Sequence, residues 1–381
     1  MRSVLVILIG AFLSLSIACD SGPTLADNPD DDPVERDRDL DKISLPPGFR
    51  IDLYANDVPN ARSLARSDNG VLFVGTRSGT VYAVVDSDDD FVADTIFVVD
   101  ENLRAPNGVA FRNGTLYVAE IDRILRYDEI EARLYQPPSP IVVYDALPPE
   151  GHHGWKYIAF GPDGKLYVPI GAPCNICDPG QPYASLWRMN EDGSNFELYA
   201  SGIRNTVGFD WNPVNGELWF TDNQRDHMGD DVPDDELNYA PVPGLHFGYP
   251  YFHAGDIPDP EFGQGRIESD YQGPAEQLGA HVAPLGMEFY EGDMFPAEYR
   301  NQIFIAEHGS WNRSEKIGYR ITLVRLNGSS EVISRETFAQ GWLEGQSNWG
   351  RPVDLEHLPD GSLLVSDDFK GVIYRISYSR D

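Results

Sequence analysis

The chain has 381 residues, with 61 acidic side chains against 29 basic ones and a formal net charge of −32. That balance excludes a protein that grips phosphate backbones, because nucleic-acid binding needs a basic footprint, and it disfavours electrostatic adhesion to anionic lipid. The apolar share of 41% is enough to build a core, which excludes wholesale disorder, and three cysteines are too few for a disulfide-stapled miniprotein.

In chain order, Met1-Arg2-Ser3 and the nearly all-apolar run Val4 to Ile17 predict a secretory signal over residues 1–18. The run is too short to span a bilayer comfortably. Leu15-Ser16-Ile17-Ala18-Cys19 resembles a bacterial lipobox, with Ser16 where Leu is usual, and predicts lipidation of Cys19. An ordinary signal peptide with a nearby cysteine is the alternative. Residues 19–42, with Asp30, Asp31, Asp32, Glu35 and Asp37, read as a solvated acidic tether. The expected location is the periplasmic or cell-surface face of a bacterial membrane, held through the lipid anchor alone.

From residue 43 to 381 one local pattern recurs six times: a turn, usually with Gly, then a short apolar strand, often with a second strand close behind. The instances begin at Gly70, Gly114, Gly164, Gly216, Asn301 and Gly361, at steps of 44, 50, 52, 85 and 60 residues. The first three steps are close to the ~40–50 residues of a four-stranded propeller blade. The long step predicts an insertion over residues 226–290. Gly108-Val-Ala-Phe111, Ile158-Ala-Phe160 and Gly208-Phe-Asp-Trp211 read as strands that enter blades. The prediction is an all-β, six-bladed β-propeller; a two-sheet sandwich with an extra domain is the alternative.

Cys174-Asn-Ile-Cys177 predicts a local disulfide if the chain is exported. A zinc site would need ligands that the remaining cysteines cannot supply, and no His follows Cys177 for covalent haem attachment. Asp86, Asp88, Asp90 and Asp94 alternate as in a calcium loop, but Phe91 replaces the turn glycine, so a solvated hairpin is expected.

Polar clusters fall in loops at comparable places in successive repeats: Gly151-His152-His153-Gly154, Arg204-Asn205, Asp222 to Asp226, Glu307 to Arg313, and Asn348-Trp-Gly-Arg351. In a propeller such loops converge at one channel mouth, and a His base with several Arg would suit oxidation of an alcohol with an anionic cofactor. No Gly-rich dinucleotide fingerprint is present.

Here the chain resembles the soluble quinoprotein sugar dehydrogenases, in their sorbosone and aldose sugar dehydrogenase branch, which use pyrroloquinoline quinone (PQQ). The matching stretches are Leu45-Pro-Pro-Gly-Phe49, His152 to Gly164, Gly202-Ile-Arg-Asn205, Thr221 to Arg225 with Pro233 to Asn238, and Gly350-Arg351 with Pro359-Asp-Gly361. The resemblance implies PQQ- and calcium-dependent oxidation of a sugar, with electrons passed to a separate acceptor, a quinone or a cytochrome. It implies His153 as the base that takes the sugar hydroxyl proton. It implies Arg204 stabilising charge on the quinone oxygen, Asn205 bonding the cofactor, and Arg351 clamping a cofactor carboxylate.

Val353 stands where the family has a second arginine, and Arg313 is the candidate replacement, ahead of Lys316. The backbone carbonyls of Gln224 and Arg225 would bind Ca²⁺, although the family usually has Gly-Pro there. Asp235 and Glu236 match a pair that binds further calcium; a solvated acidic loop is the alternative. Trp311 and Trp349 could stack on sugar or cofactor, or pack between blades. Two other functions fit a propeller: a calcium-dependent lactonase, and a lipid-anchored binding propeller without chemistry.

Overall fold

The computed structural model describes residues 39–379. The signal segment, Cys19 and most of the acidic tether lie outside the described residues. Each recurring apolar run becomes a middle strand of a four-stranded antiparallel sheet, and six such sheets form a six-bladed β-propeller. The inner strands, which line the channel, are Ala61–Arg66, Gly108–Arg112, Ala159–Phe160, Phe209–Trp211, Pro284–Phe289 and Pro352–His357 in blades 1 to 6. The strand next to each is an apolar run, such as Leu72–Thr76, Leu166–Ile170, Ile303–Glu307 or Leu363–Asp367, buried along its whole length. Sheets stack on both faces of these strands, which is why they read as continuous apolar runs.

The ring is closed by the chain's own beginning. Strand Phe49–Ala55 pairs with Val372–Tyr378 and supplies the outer strand of blade 6, with Phe49 opposite Tyr378. Core packing is distributed around the ring, with an apolar cluster between each pair of neighbouring blades. Phe49 joins the cluster between blades 5 and 6, its ring 4.8 Å from that of Phe295 and 4.9 Å from that of Phe338.

The long step at Gly216 resolves differently from the sequence expectation. Residues 226–290 hold two strands of blade 4, Asp234–Ala240 and Glu276–Ala280, and the inner strand of blade 5. Only the segment between those two blade 4 strands is inserted, and it carries the small hairpin Phe252–His253 with Ile257–Pro258. These strands were illegible because Asp234, Asp235, Glu236 and Asn238 break the apolar pattern. The acidic hairpin at Asp88 to Asp90 is exposed, as expected, and Phe91 takes the left-handed φ of 68° that a glycine would adopt.

Two features of the channel position the site. Bulges interrupt the inner strands of blades 1, 5 and 6 between Ala61 and Leu64, Pro284 and Met287, and Pro352 and Leu355, and such bulges re-aim side chains. Val207, Leu285 and Val353, contributed by blades 4, 5 and 6, pack together as a small apolar plug. Val353 is therefore part of this plug, which accounts for an apolar residue where a second arginine was expected. Among the described residues no helix is long and apolar enough to cross a membrane.

Candidate active site

The loops that lead into the inner strands meet around a cavity of about 470 Å³, lined among others by His153, Arg204, Asn205, Gln224, Asp235 and Arg351. Sites for small molecules commonly span ~300–1,000 Å³. A larger open groove of about 630 Å³ lies beside the blade 4 insertion. It is lined by Asp234, Asp256, Glu268 and Glu276 with Arg335 as its cation, and it has no histidine.

His153 sits in the turn closed by the Gly154 amide on the Gly151 carbonyl, with a left-handed φ of 49°. Its seat needs Gly171, where a Cβ would come within 2.6 Å of the His153 Cβ. The Nδ1 atom lies 2.8 Å from the Ala172 carbonyl oxygen. A carbonyl only accepts, so Nδ1 carries the hydrogen and Nε2 keeps a lone pair. Burial, then Arg204 and His152, hold the imidazole pKa well below its usual value of 6.5. The imidazole is thus held toward its neutral form, with its tautomer set by the Ala172 carbonyl.

Arg204 is 2% exposed and its guanidinium is locked. Nε donates to the Asn175 carbonyl at 2.8 Å, Nη1 to the Asn223 carbonyl at 2.9 Å, and Nη2 to Asn175 Oδ1 at 2.8 Å and Asp226 Oδ2 at 3.1 Å. These bonds occupy four of the five guanidinium N–H groups, leaving one on Nη1. Asp222 shapes the turn beneath by accepting the backbone amides of Arg204 at 2.9 Å and Asn205 at 2.6 Å. Asn175 was not singled out from the sequence; its one signal is its place inside the Cys174–Cys177 pair. The structure joins those cysteines, with Cα atoms 6.2 Å apart.

The cavity holds four arginines, Arg62, Arg77, Arg204 and Arg351. Asp368 balances the blade 1 pair, lying 2.9 Å from Arg62 and 4.0 Å from Arg77. Asp368 also accepts from His308 Nε2 at 2.8 Å, and burial pushes that imidazole down to about 4. Arg351 differs from the rest. It donates Nε to the His308 carbonyl at 3.0 Å and Nη2 to the Gly309 carbonyl at 2.9 Å, and among the described residues no carboxylate pairs with it. Its guanidinium lies 5.4 Å from the Tyr319 ring centroid, and a partly buried guanidinium without a direct ion pair can take an anion. Arg62, Arg77 and His308 were not assigned roles from the sequence; Arg62 and Arg77 sit in or beside a strand without any recurring motif.

The remaining expected residues divide. Gln224 lines the cavity, and neither its carbonyl nor that of Arg225 accepts a hydrogen bond among the described residues. Two unengaged carbonyls in one loop suit a hard cation. The Arg225 side chain instead engages Asp259. Asp235 and Glu236 are buried rather than solvated, and the ladder to the neighbouring strand shifts register between them. Asp235 lines the cavity but spends its oxygens on the amides of Gln224 and Ala283, each at 2.8 Å. Glu236 accepts from Asn238 at 2.9 Å and lies opposite Asp222 across the ladder.

Arg313 is not brought to the cavity. Its guanidinium is held in the acidic loop, 3.0 Å from Asp231 and bonded to the Asp230 carbonyl. Lys316 is likewise spent, on Asn348 at 2.9 Å. Trp311 lines the cavity and is 67% exposed, whereas Trp349 packs on Trp342 at 6.3 Å and bonds the Gly341 carbonyl.

The blade ring gathers one basic, histidine-bearing mouth, and comparison with known proteins places the chain in a family. The glucose/sorbosone dehydrogenase family profile matches residues 138–375, and the chain belongs to that family. An uncharacterized protein of Borreliella burgdorferi is 32% identical over 352 residues, covering 89% of this chain and 91% of that one. Aldose sugar dehydrogenase YliI of Escherichia coli is 30% identical over 237 residues, 59% of this chain and 57% of that one. The holo pyranose dehydrogenase PQQ domain of Coprinopsis cinerea superposes with a TM-score of 0.77 at 18% identity, over 88% of this chain and 97% of that chain. At that identity the likeness shows the fold alone.

Proposed function

We propose that this protein oxidises a sugar at its anomeric carbon with PQQ and Ca²⁺ bound in the basic cavity, and passes the electrons to a separate acceptor. The observation that carries the reading is Arg351, a cation with no carboxylate partner among the described residues, in the same cavity as His153 and Arg204. PQQ has three carboxylates, so it is an anion of the kind this mouth lacks. Arg351 would take one carboxylate, the free N–H of Arg204 would face the quinone oxygen, and the Gln224 and Arg225 carbonyls would hold Ca²⁺. When bound, PQQ supplies a hydride acceptor that the metal polarises.

The protein's own part is proton transfer and orientation. His153 Nε2 accepts the hydroxyl proton as hydride leaves the same carbon. The Ala172 carbonyl keeps the imidazole aimed and stabilises the imidazolium that forms, as a fixed dipole does for a general base. Exposed Trp311 at the rim offers an apolar face to a sugar ring. A lactonase would need side-chain carboxylates around a metal at the mouth; the guanidinium groups there favour the redox reading.

The pH dependence follows from His153. Its pKa is lowered from 6.5, so the base form persists into mild acid and is lost only as pH falls through the depressed value. The acid limb of kcat/KM is expected below pH 6.5, and a limb at or above 6.5 would contradict the assignment. The direct test of function is reconstitution of the purified chain with PQQ and Ca²⁺, followed by dye reduction across an aldose panel. Turnover with at least one aldose is expected; tight PQQ binding without turnover, or no binding, would refute the reading. The lipid anchor at Cys19 is part of the same proposal, since it would keep the protein beside a membrane acceptor. Fractionation that recovers the native protein wholly soluble and without lipid would refute that part.

A further inference from the structure

The far end of the channel carries a second group of functional side chains. The cavity residues sit at the ends where the chain enters the inner strands and leaves their neighbours, and the inner strands run through the ring past the Val207–Leu285–Val353 plug. At their other ends, Glu288 of blade 5 and Glu356 and His357 of blade 6 place one carboxylate oxygen each and an imidazole nitrogen within 4.8 Å of one another. His357 Nδ1 is bonded to Glu288 Oε1. The other Glu288 oxygen, Oε2, is fully buried and has no hydrogen-bond partner.

A second buried acid lies on the same strand, two residues before Glu356. Asp354 is 2% exposed, and its Oδ2 accepts the Leu64 amide at 2.9 Å. Its Oδ1 is buried without any partner. That oxygen faces blade 5 at Gly286, where a Cβ would collide with it, two residues along the strand from Glu288. Asp210 of blade 4 joins the group, its carboxylate taking the Phe289 and Trp211 amides at 2.8 Å and 2.7 Å. Two of these acids, Glu288 and Glu356, flank the imidazole, and the Nε of Arg66 reaches only the His357 carbonyl at 3.3 Å while its Nη1 reaches the Ser67 carbonyl. Buried carboxylate oxygens without partners are rare, because each forfeits its hydration.

We infer that Glu288, Glu356 and His357 form a structural site for a divalent transition metal of the zinc class, tying the inner strands of blades 5 and 6 together below the plug. Two carboxylates and one imidazole suit such an ion, with water completing the shell. The imidazole disfavours Ca²⁺, which prefers an all-oxygen shell. Binding would replace the His357–Glu288 hydrogen bond with two bonds to the metal. The Glu288 carboxylate, with its buried and unpaired Oε2, then has a dication beside it. The site is separated from the active-site mouth by the plug and stands whether or not the redox reading holds.

The test uses the full chain, purified without chelator and dialysed against zinc chloride in excess CaCl₂, so that calcium fills any oxygen-only site. Zinc per chain is read by mass spectrometry, and zinc affinity by titration calorimetry. One tightly held zinc is expected. Glu356→Gln and His357→Asn should each weaken it about 100-fold or more, with PQQ titration unchanged. Asp88→Asn, in the exposed acidic hairpin, should keep it. Zinc that does not bind, or that binds equally to wild type, E356Q and H357N, would overturn the proposal. Thermal melts show which variants fold. If E356Q does not, H357N decides, and a folded H357N that retains wild-type affinity refutes the site.

Discussion

Replacing His153 by asparagine lowers kcat for sugar oxidation about 10²–10⁴-fold, the range expected when a general base is removed, while PQQ affinity stays within a few-fold of wild type. Asparagine is the informative choice. It tolerates the left-handed backbone at φ 49°, and its amide can still donate to the Ala172 carbonyl, as Nδ1 does at 2.8 Å. It has no basic nitrogen. The loss should therefore appear in kcat with little change in melting temperature, and the acid limb of the pH profile should disappear. A folded His153→Asn protein with wild-type turnover would remove His153 from the mechanism and leave the fold untouched.

The second large effect concerns Arg204. Arg204→Gln should destabilise the protein by about 3–5 kcal/mol, because a buried charge is removed and its partners are left unpaired. The Asn175 and Asn223 carbonyls and Asp226 lose their shared donor. Arg204→Lys keeps the charge but not the planar fork, so it should recover part of the stability. Because the remaining N–H would no longer be fixed toward the reacting oxygen, kcat should still fall about 10²-fold or more, as when a preorganised donor is lost. Chemical denaturation and steady-state kinetics on the two variants separate the roles. Wild-type kcat in Arg204→Lys would confine Arg204 to a structural part.

The blade repeat is legible because the strand beside the inner one advertises itself in each blade. Leu72–Thr76 and Leu363–Asp367 are buried on both faces and so read as apolar runs beside glycine turns. The inner strands hide for the opposite reason. Pro352–His357 contains Asp354, Glu356 and His357, so no apolar alternation marks it. Phe49–Ala55 alternates well, yet nothing local to it reveals that its partner is Val372–Tyr378 at the other end of the chain.

The same contrast holds in the site. His153 and Arg204-Asn205 lie in short glycine-bearing loops whose motif and order carry information. Arg62 is one residue into an inner strand, and only the bulge before Leu64 makes its position special. Arg313 looked like a clamp because it sits in a loop rich in polar residues. Its capture by Asp231 and the Asp230 carbonyl depends on a loop more than eighty residues upstream, which spacing alone cannot show.

The most direct test of the account is a crystal structure of the chain soaked with PQQ and CaCl₂. Density for the tricyclic ring is expected in the cavity between His153 and Arg204, with one carboxylate on the Arg351 guanidinium and a metal ion at the Gln224 and Arg225 carbonyls. A cofactor bound elsewhere, or a cavity left empty in crystals of protein that still turns over sugar, would contradict it.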